Sequence, residues 1–133
     1  MDSLSKKAHD ELVSKIGSQE VLASFRLLVD GMAAFEKFEL QANVLGQKKS
    51  LAFKSGRVSY FAFTTNRQWL LWYFRRPGLN DGIFTFEELK VAFPELEFSK
   101  RSELEKTEAI VRIRTRKEAE AVLSFVRGKI AKR

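Results

Sequence analysis

Hydrophobic residues near the start of the chain recur at the spacing of two amphipathic helices. Ser3 or Ser5 is a suitable N-cap for the first helix, and Ser18, directly after Gly17, is one for the second. Charged residues occupy the opposite side of both helices, as they do on surface helices. The hydrophobic positions are Leu4, Ala8, Leu12 and Ile16 in the first helix and Val21, Leu22, Phe25, Leu28, Val29, Met32 and Phe35 in the second.

From Leu40 the hydrophobic period changes to that of β-strands. The links between successive segments are too short for parallel crossovers, and Ser55-Gly56 is a turn signal. The last two segments are apolar on both faces, which indicates central strands. We therefore predict an antiparallel meander of four strands, at 40–45, 49–54, 57–64 and 67–74.

The remaining third of the chain alternates between turn, helix and strand signals. Residues 75–82 should form an exposed loop, because Pro77 and the glycines that follow cannot continue a central strand. Capping boxes at Thr85-Glu88 and Thr115-Glu118 open two helices. Between these helices, 108–114 reads as a strand and 99–107 as a loop or frayed helix.

These elements predict an α+β fold of order α-α-β-β-β-β-α-β-α, with helices packed on a mainly antiparallel sheet. One domain spans 1–133, and residues 1–17 could form a helix that is only loosely attached. No signal peptide or membrane span is recognisable, so we expect a cytoplasmic protein without membrane contact.

Charge is distributed unevenly along the chain. Residues 40–80 contain no Asp or Glu but seven of the 24 Lys and Arg residues, and the other 17 balance the 17 acids. A concentrated basic segment is typical of proteins that bind an anionic partner. A smaller stripe, Arg112 and Arg114, should be partly neutralised by Glu108 and Glu118. The seven basic residues are Lys48, Lys49, Lys54, Arg57, Arg67, Arg75 and Arg76.

The same segment holds both tryptophans and both tyrosines. Cations and exposed rings together are the means by which sheets hold single-stranded nucleic acid. Strand alternation places Trp69 and Tyr73 on one face and Trp72 and Phe74 on the other, so only one pair can be exposed. We predict nucleic-acid contacts, preferably to single strands, through the seven basic residues with Trp69 and Tyr73. Packing in the core is the alternative role of these aromatic residues.

The sequence offers little catalytic chemistry. There is no cysteine, and the only histidine, His9, lies among polar residues near the start of the chain. Phosphate-loop, dinucleotide and nucleophile-elbow motifs are missing. Asp30, Glu36 and Glu39 could approach a cation, but their spacing matches no known metal loop. We therefore predict a non-enzymatic protein without cofactor or metal, with a nuclease-like hydrolase as the remaining alternative.

The element order resembles the core of restriction-type nuclease folds. That resemblance implies metal-binding acids and a lysine on the second and third strands, whereas 48–54 and 57–64 carry no acid. The chain is more similar to small uncharacterised bacterial domains found beside such nucleases, through KKSLAFKSGRVSYFAF and EAIVRIRTRKEAEAVLSFV. This similarity covers about residues 40–126. It implies an accessory module linked to nucleic acid or host–phage conflict, without a known activity.

A second kind of partner fits the same basic segment. An adaptor or inhibitor that docks an acidic protein surface needs the same cations. A patch of exposed aliphatic residues such as Leu70, Leu71 and Leu79 would favour a protein partner. Charge alone does not separate a protein from a nucleic acid, and the sequence does not predict the oligomeric state.

Overall fold

Five helices and six strands make up the computed structural model, which describes residues 5–44, 49–102 and 105–130, without the side chains of 99–102 and 105–107. In chain order these elements are α1 (Lys6–Val13), α2 (Gln19–Ala33), β1 (Glu39–Asn43), β2 (Ser50–Ser55), β3 (Val58–Thr65), β4 (Leu70–Phe74), α3 (Arg76–Asn80), α4 (Phe86–Ala92), β5 (Glu97–Ser102), β6 (Glu105–Ile113) and α5 (Arg116–Ile130).

The strands form one antiparallel sheet with the order β1-β2-β3-β4-β6-β5. Strands β1 to β4 are the predicted meander, and β3 and β4 lie in the interior of the sheet as expected. The α+β fold class is therefore confirmed. Two later strands follow where the sequence predicted one, because β5 pairs antiparallel with β6.

The hydrophobic core lies on one face of this sheet. Large side chains of β2, β3 and β4 point to that face, and Phe53 stacks on Trp72 with ring centroids 5.6 Å apart. Helices α2 and α5 cover these rings with their apolar sides, including Phe25 and Val122. Helix α1 also belongs to the core, since Leu12 is fully buried. Burying a large apolar side chain stabilises the fold by about 1.5–3 kcal/mol.

Helix starts agree with the capping residues predicted from the sequence. Each cap hydroxyl accepts a hydrogen bond from the backbone N–H three residues later, which satisfies one of the free donors of the first turn. The caps are Ser5 to Ala8 at 3.1 Å, Ser18 to Val21 at 3.3 Å, and Thr85 to Glu88 and Thr115 to Glu118 at 3.2 Å each.

Two predictions for the second half of the chain were wrong. Residues 76–80 form the short helix α3 rather than a loop, with Pro77 in its first turn, where a missing N–H costs nothing. Gly78 of this helix is buried against the ring of Phe84. Of the segment 99–107, the described residues 99–102 and 105–107 belong to the paired strands β5 and β6 instead of a loop or frayed helix. Its polar sequence is compatible with strands because β5 lies at the sheet edge.

Candidate functional site

The sheet face opposite the core receives no helix from the part of the chain that the structure describes, and we call it the open face. Apolar surface on this face is concentrated on β4 and β6. Leu71, Tyr73 and Ile110 are partly exposed there, and Trp69 precedes β4 on the same side. On β2 and β3 the open face carries small residues such as Ala52 and Ala62, whose side chains project little from the sheet.

Cross-strand pairing arranges the open face in rows. A depression of about 490 Å³ lies over the β1–β2 side of these rows, with Arg75 at its border. The central row is Gln41, Ala52, Ala62, Tyr73, Ile110 and Glu97. The row towards the β3–β4 turn is Asn43, Ser50, Thr64, Leu71 and Arg112, and the row on the other side contains Glu39, Lys54, Ser59, Arg75 and Glu108.

Trp69 and Tyr73 share the open face, while Trp72 is fully buried beneath the sheet. The indole N–H of Trp69 is itself buried, so the exposed part of this ring is apolar carbon. The Arg112 guanidinium lies 4.7 Å from the Trp69 ring centroid and forms a cation–π contact. One face of the ring is therefore already covered.

Acidic residues from distant parts of the chain pair with several of the predicted cations. The Arg75 Nε donates to Glu108 Oε2 at 2.7 Å, and its Nη1 to Ser59 Oγ at 3.4 Å. Arg112 makes the same kind of contact with Glu97, at 3.3 Å between Nη2 and Oε2. Both guanidinium groups are thus engaged by carboxylates on the open face.

Lys49 is even less accessible. Its side chain is only 13% exposed and lies 3.5 Å from Glu11 of α1, measured from Nζ to Oε2. The same Nζ donates to the Val44 carbonyl at 2.6 Å. Lys49 therefore links α1 and Val44, the residue after β1, to the sheet. Its neighbour Lys48 lies outside the described residues.

The other predicted cations occupy two separate ends of the sheet. Lys54, half-buried Arg76 and exposed Arg57 belong to the end with the β2–β3 turn. Arg67 is exposed at the β3–β4 turn, where its carbonyl accepts the Gly17 N–H at 3.0 Å. β3 separates these ends by roughly 25 Å at about 3.4 Å per residue, well beyond a Debye length of about 8 Å.

Sequence reasoning named Trp69, Tyr73 and Leu71 but missed Ile110 on the open face. Ile110 carries no recognisable chemistry, and its exposure depends on which sheet face the helices cover. Leu70 and Leu79, the other members of the predicted aliphatic patch, are buried and half-buried against the core. The alternation in 108–114 was the available signal, since it separates Ile110 and Arg112 from the buried Ala109, Val111 and Ile113.

No cluster of three His, Asp or Glu side chains suitable for a metal occurs among the described residues, Asp30, Glu36 and Glu39 included. Of the helices with assigned positions, none has the length and apolar character required to cross a bilayer. Comparison with protein-family models, curated proteins and solved structures finds no significant match to this chain. The resemblance to domains that accompany restriction-type nucleases therefore stays a prediction.

Proposed function

We propose that the chain is a non-catalytic binding module that docks a protein partner on the open face of its sheet. The observation that carries this proposal is the partly exposed apolar group Leu71, Tyr73 and Ile110, beside the carbon edge of Trp69. Aromatic and aliphatic surface bordered by arginines and carboxylates is typical of the centre of a protein interface. A non-enzymatic role and a cytoplasmic location belong to the same proposal and rest on the sequence.

The charges of the open face favour a protein over a nucleic acid. Glu97 and Glu108 lie against Arg112 and Arg75, and Glu39 is the cross-strand neighbour of Lys54. Carboxylates at these positions repel a phosphate backbone, whereas a protein partner can offer groups of both signs. The basic character of segment 40–80 therefore does not become a uniformly positive surface.

Single-stranded nucleic acid is the second candidate, and the common face of Trp69 and Tyr73 supports it. Four residues along a strand separate the two side chains by about 13 Å, so each ring can contact a different base. Stacking contributes about 1–3 kcal/mol per base. A base on Trp69 must compete with the Arg112 guanidinium, which lowers the expected gain.

A differential capture experiment followed by reconstitution tests the protein-docking proposal. The variant Leu71→Thr with Tyr73→Thr removes the apolar surface and introduces β-branched residues that suit a strand. Val91→Thr is the matched control, because Val91 is 84% exposed on α4, away from the open face. Proteins that bind the wild type and the control are purified, and each is titrated by calorimetry against the wild type, the control and the double variant.

We expect the double variant to weaken the reconstituted complex at least about tenfold, equivalent to about 1.4 kcal/mol. Circular dichroism checks that the variant is folded. Partner proteins that bind the double variant as tightly as the wild type would show that the open face is not the docking surface.

A further inference from the structure

The last residues of β6 have a neighbouring strand on one side only. Val111 and Ile113 pair with Trp72 and Leu70 of β4. On the other side, pairing with β5 starts at Ile110, opposite Glu97, and no strand of the described chain continues it. Alternate residues of a strand direct their N–H and C=O groups to opposite edges, so at least one such set within 111–113 faces this side.

The chain that precedes β5 turns away from the unpaired edge of β6 and leaves a cleft of about 800 Å³ beside it. A hydrogen bond from the Leu96 N–H to the Phe93 carbonyl, at 3.1 Å, closes the turn. Phe93, Leu96 and Val111 contribute apolar surface to the cleft, and Ala121 of α5 is exposed at its border. This volume lies within the range of natural ligand sites, about 300–1,000 Å³.

Two exposed cations border the cleft on the α5 side. The side chains of Arg114 and Lys117 are exposed and make no ion pair with any described residue. Two acids of the cleft are already engaged. Glu118 accepts the Arg114 backbone N–H at 2.9 Å, and Glu97 pairs with Arg112. Glu95 is an exposed acid in the turn that precedes β5.

We propose that this cleft binds an extended peptide segment of a partner protein by strand addition to residues 111–113 of β6. Backbone hydrogen bonds to the unpaired edge would hold the peptide, as they do when a peptide extends an exposed sheet edge. An apolar side chain would occupy the floor formed by Phe93, Leu96 and Val111. A carboxylate, either acidic or C-terminal, would meet Arg114 and Lys117.

This inference concerns a site at the sheet edge and goes beyond the docking surface on the open face. The lining of the cleft and the open face share Arg112 and Glu97. Tyr73→Thr alters only the open face, so failure of one proposal is distinguishable from failure of the other. We expect this variant to bind the cleft peptide as tightly as the wild type.

The probe is a peptide selected from a phage-displayed library of random peptides with free C-termini, then synthesised with a fluorescent label. We expect selected peptides to combine an apolar residue with a nearby carboxylate. Hydrogen exchange of the wild-type protein should become slower at one or two amides within 111–113 when the peptide is bound. A purely electrostatic contact would leave the exchange rates of these amides unchanged.

Two variants locate the peptide by fluorescence anisotropy. Arg114→Gln with Lys117→Gln should weaken binding about tenfold, whereas the matched surface control Lys15→Gln with Arg26→Gln should not. Ala121→Trp introduces an indole at the border of the cleft and should weaken binding by more than about tenfold. The positions replaced are exposed, so the variants should remain folded.

Three results would each overturn the proposal. These results are a library that yields no binding peptide, a selected peptide that binds Ala121→Trp as tightly as the wild type, and hydrogen exchange at 111–113 that is unchanged on binding. Loss of affinity in the Arg114 and Lys117 variant together with protected amides at 111–113 would support it.

Discussion

Gly31 lies on the side of α2 that packs against α5. A Cβ at this position would lie 2.3 Å from Cδ2, 2.9 Å from Cδ1 and 3.1 Å from Cγ of Leu123. Leu123 is buried, so its whole side chain would have to move. Overpacking of this kind costs about 1–3 kcal/mol, while replacing a helical glycine by alanine returns about 1 kcal/mol.

We therefore expect Gly31→Ala to lower the free energy of unfolding by about 1 kcal/mol, measured by urea denaturation. Gly128→Ala is the matched control on α5, since its Cβ would meet no atom within 4 Å. That control should raise the free energy of unfolding by up to about 1 kcal/mol. Equal stabilisation by both changes would contradict close packing of α2 on α5.

Individual charges explain why the candidate site could be predicted only in part. The acid that engages Arg75 is Glu108, 33 positions later, and the acid that engages Arg112 is Glu97, 15 positions earlier. A run of sequence without acids is therefore not a surface without acids. Which carboxylate approaches which cation depends on strand order, and β6 lies beside β4 although two helices and β5 separate them in the chain.

At the scale of elements, local signals were the most predictable part of the fold. Hydroxyl caps such as Ser18 and Thr115 act within three residues, so the sequence contains all the information they need. The faces of Trp69 and Trp72 were predictable for the same reason, because alternation is local. The β5 strand was not predictable, because its polar sequence forms a strand only through pairing with β6.

A pH-dependent contact joins the start of α2 to the start of α5. Glu20 Oε1 accepts the Arg116 backbone N–H at 3.0 Å and lies 3.5 Å from its Nε. These interactions, the backbone hydrogen bond above all, lower the pKa of the Glu20 carboxyl below its ordinary value of 4.5. A lowered pKa means that ionised Glu20 favours the folded state.

We expect the stabilisation of the fold by ionised Glu20 to be present above pH 4.5 and to disappear as the pH falls through the lower pKa of the folded state. The melting temperature of Glu20→Gln should lie below that of the wild type at neutral pH. The difference should shrink in acid, as measured by circular dichroism between neutral pH and about pH 3. A difference that stays constant over this range would exclude the ionised carboxylate as its cause.

At the scale of the whole molecule, the fold redistributes a charge pattern that looks simple in the sequence. The positive residues of segment 40–80 reach two ends of the sheet, and Arg75 and Lys49 are held by Glu108 and Glu11. What the open face presents at its centre is apolar and aromatic surface. This distribution favours a protein partner, although the net charge of the chain is +7.

The measurement that tests this account most directly is a titration of short single-stranded and duplex oligonucleotides, followed by fluorescence anisotropy from about 50 to about 200 mM salt. Because Glu108 and Glu97 mask Arg75 and Arg112, we expect a wild-type Kd weaker than about 10⁻⁴ M at physiological salt. Glu97→Gln with Glu108→Gln should strengthen binding about tenfold by exposing Arg112 and Arg75. A wild-type Kd below about 10⁻⁶ M that weakens about a thousandfold over this salt range would contradict the account and identify nucleic acid as the partner.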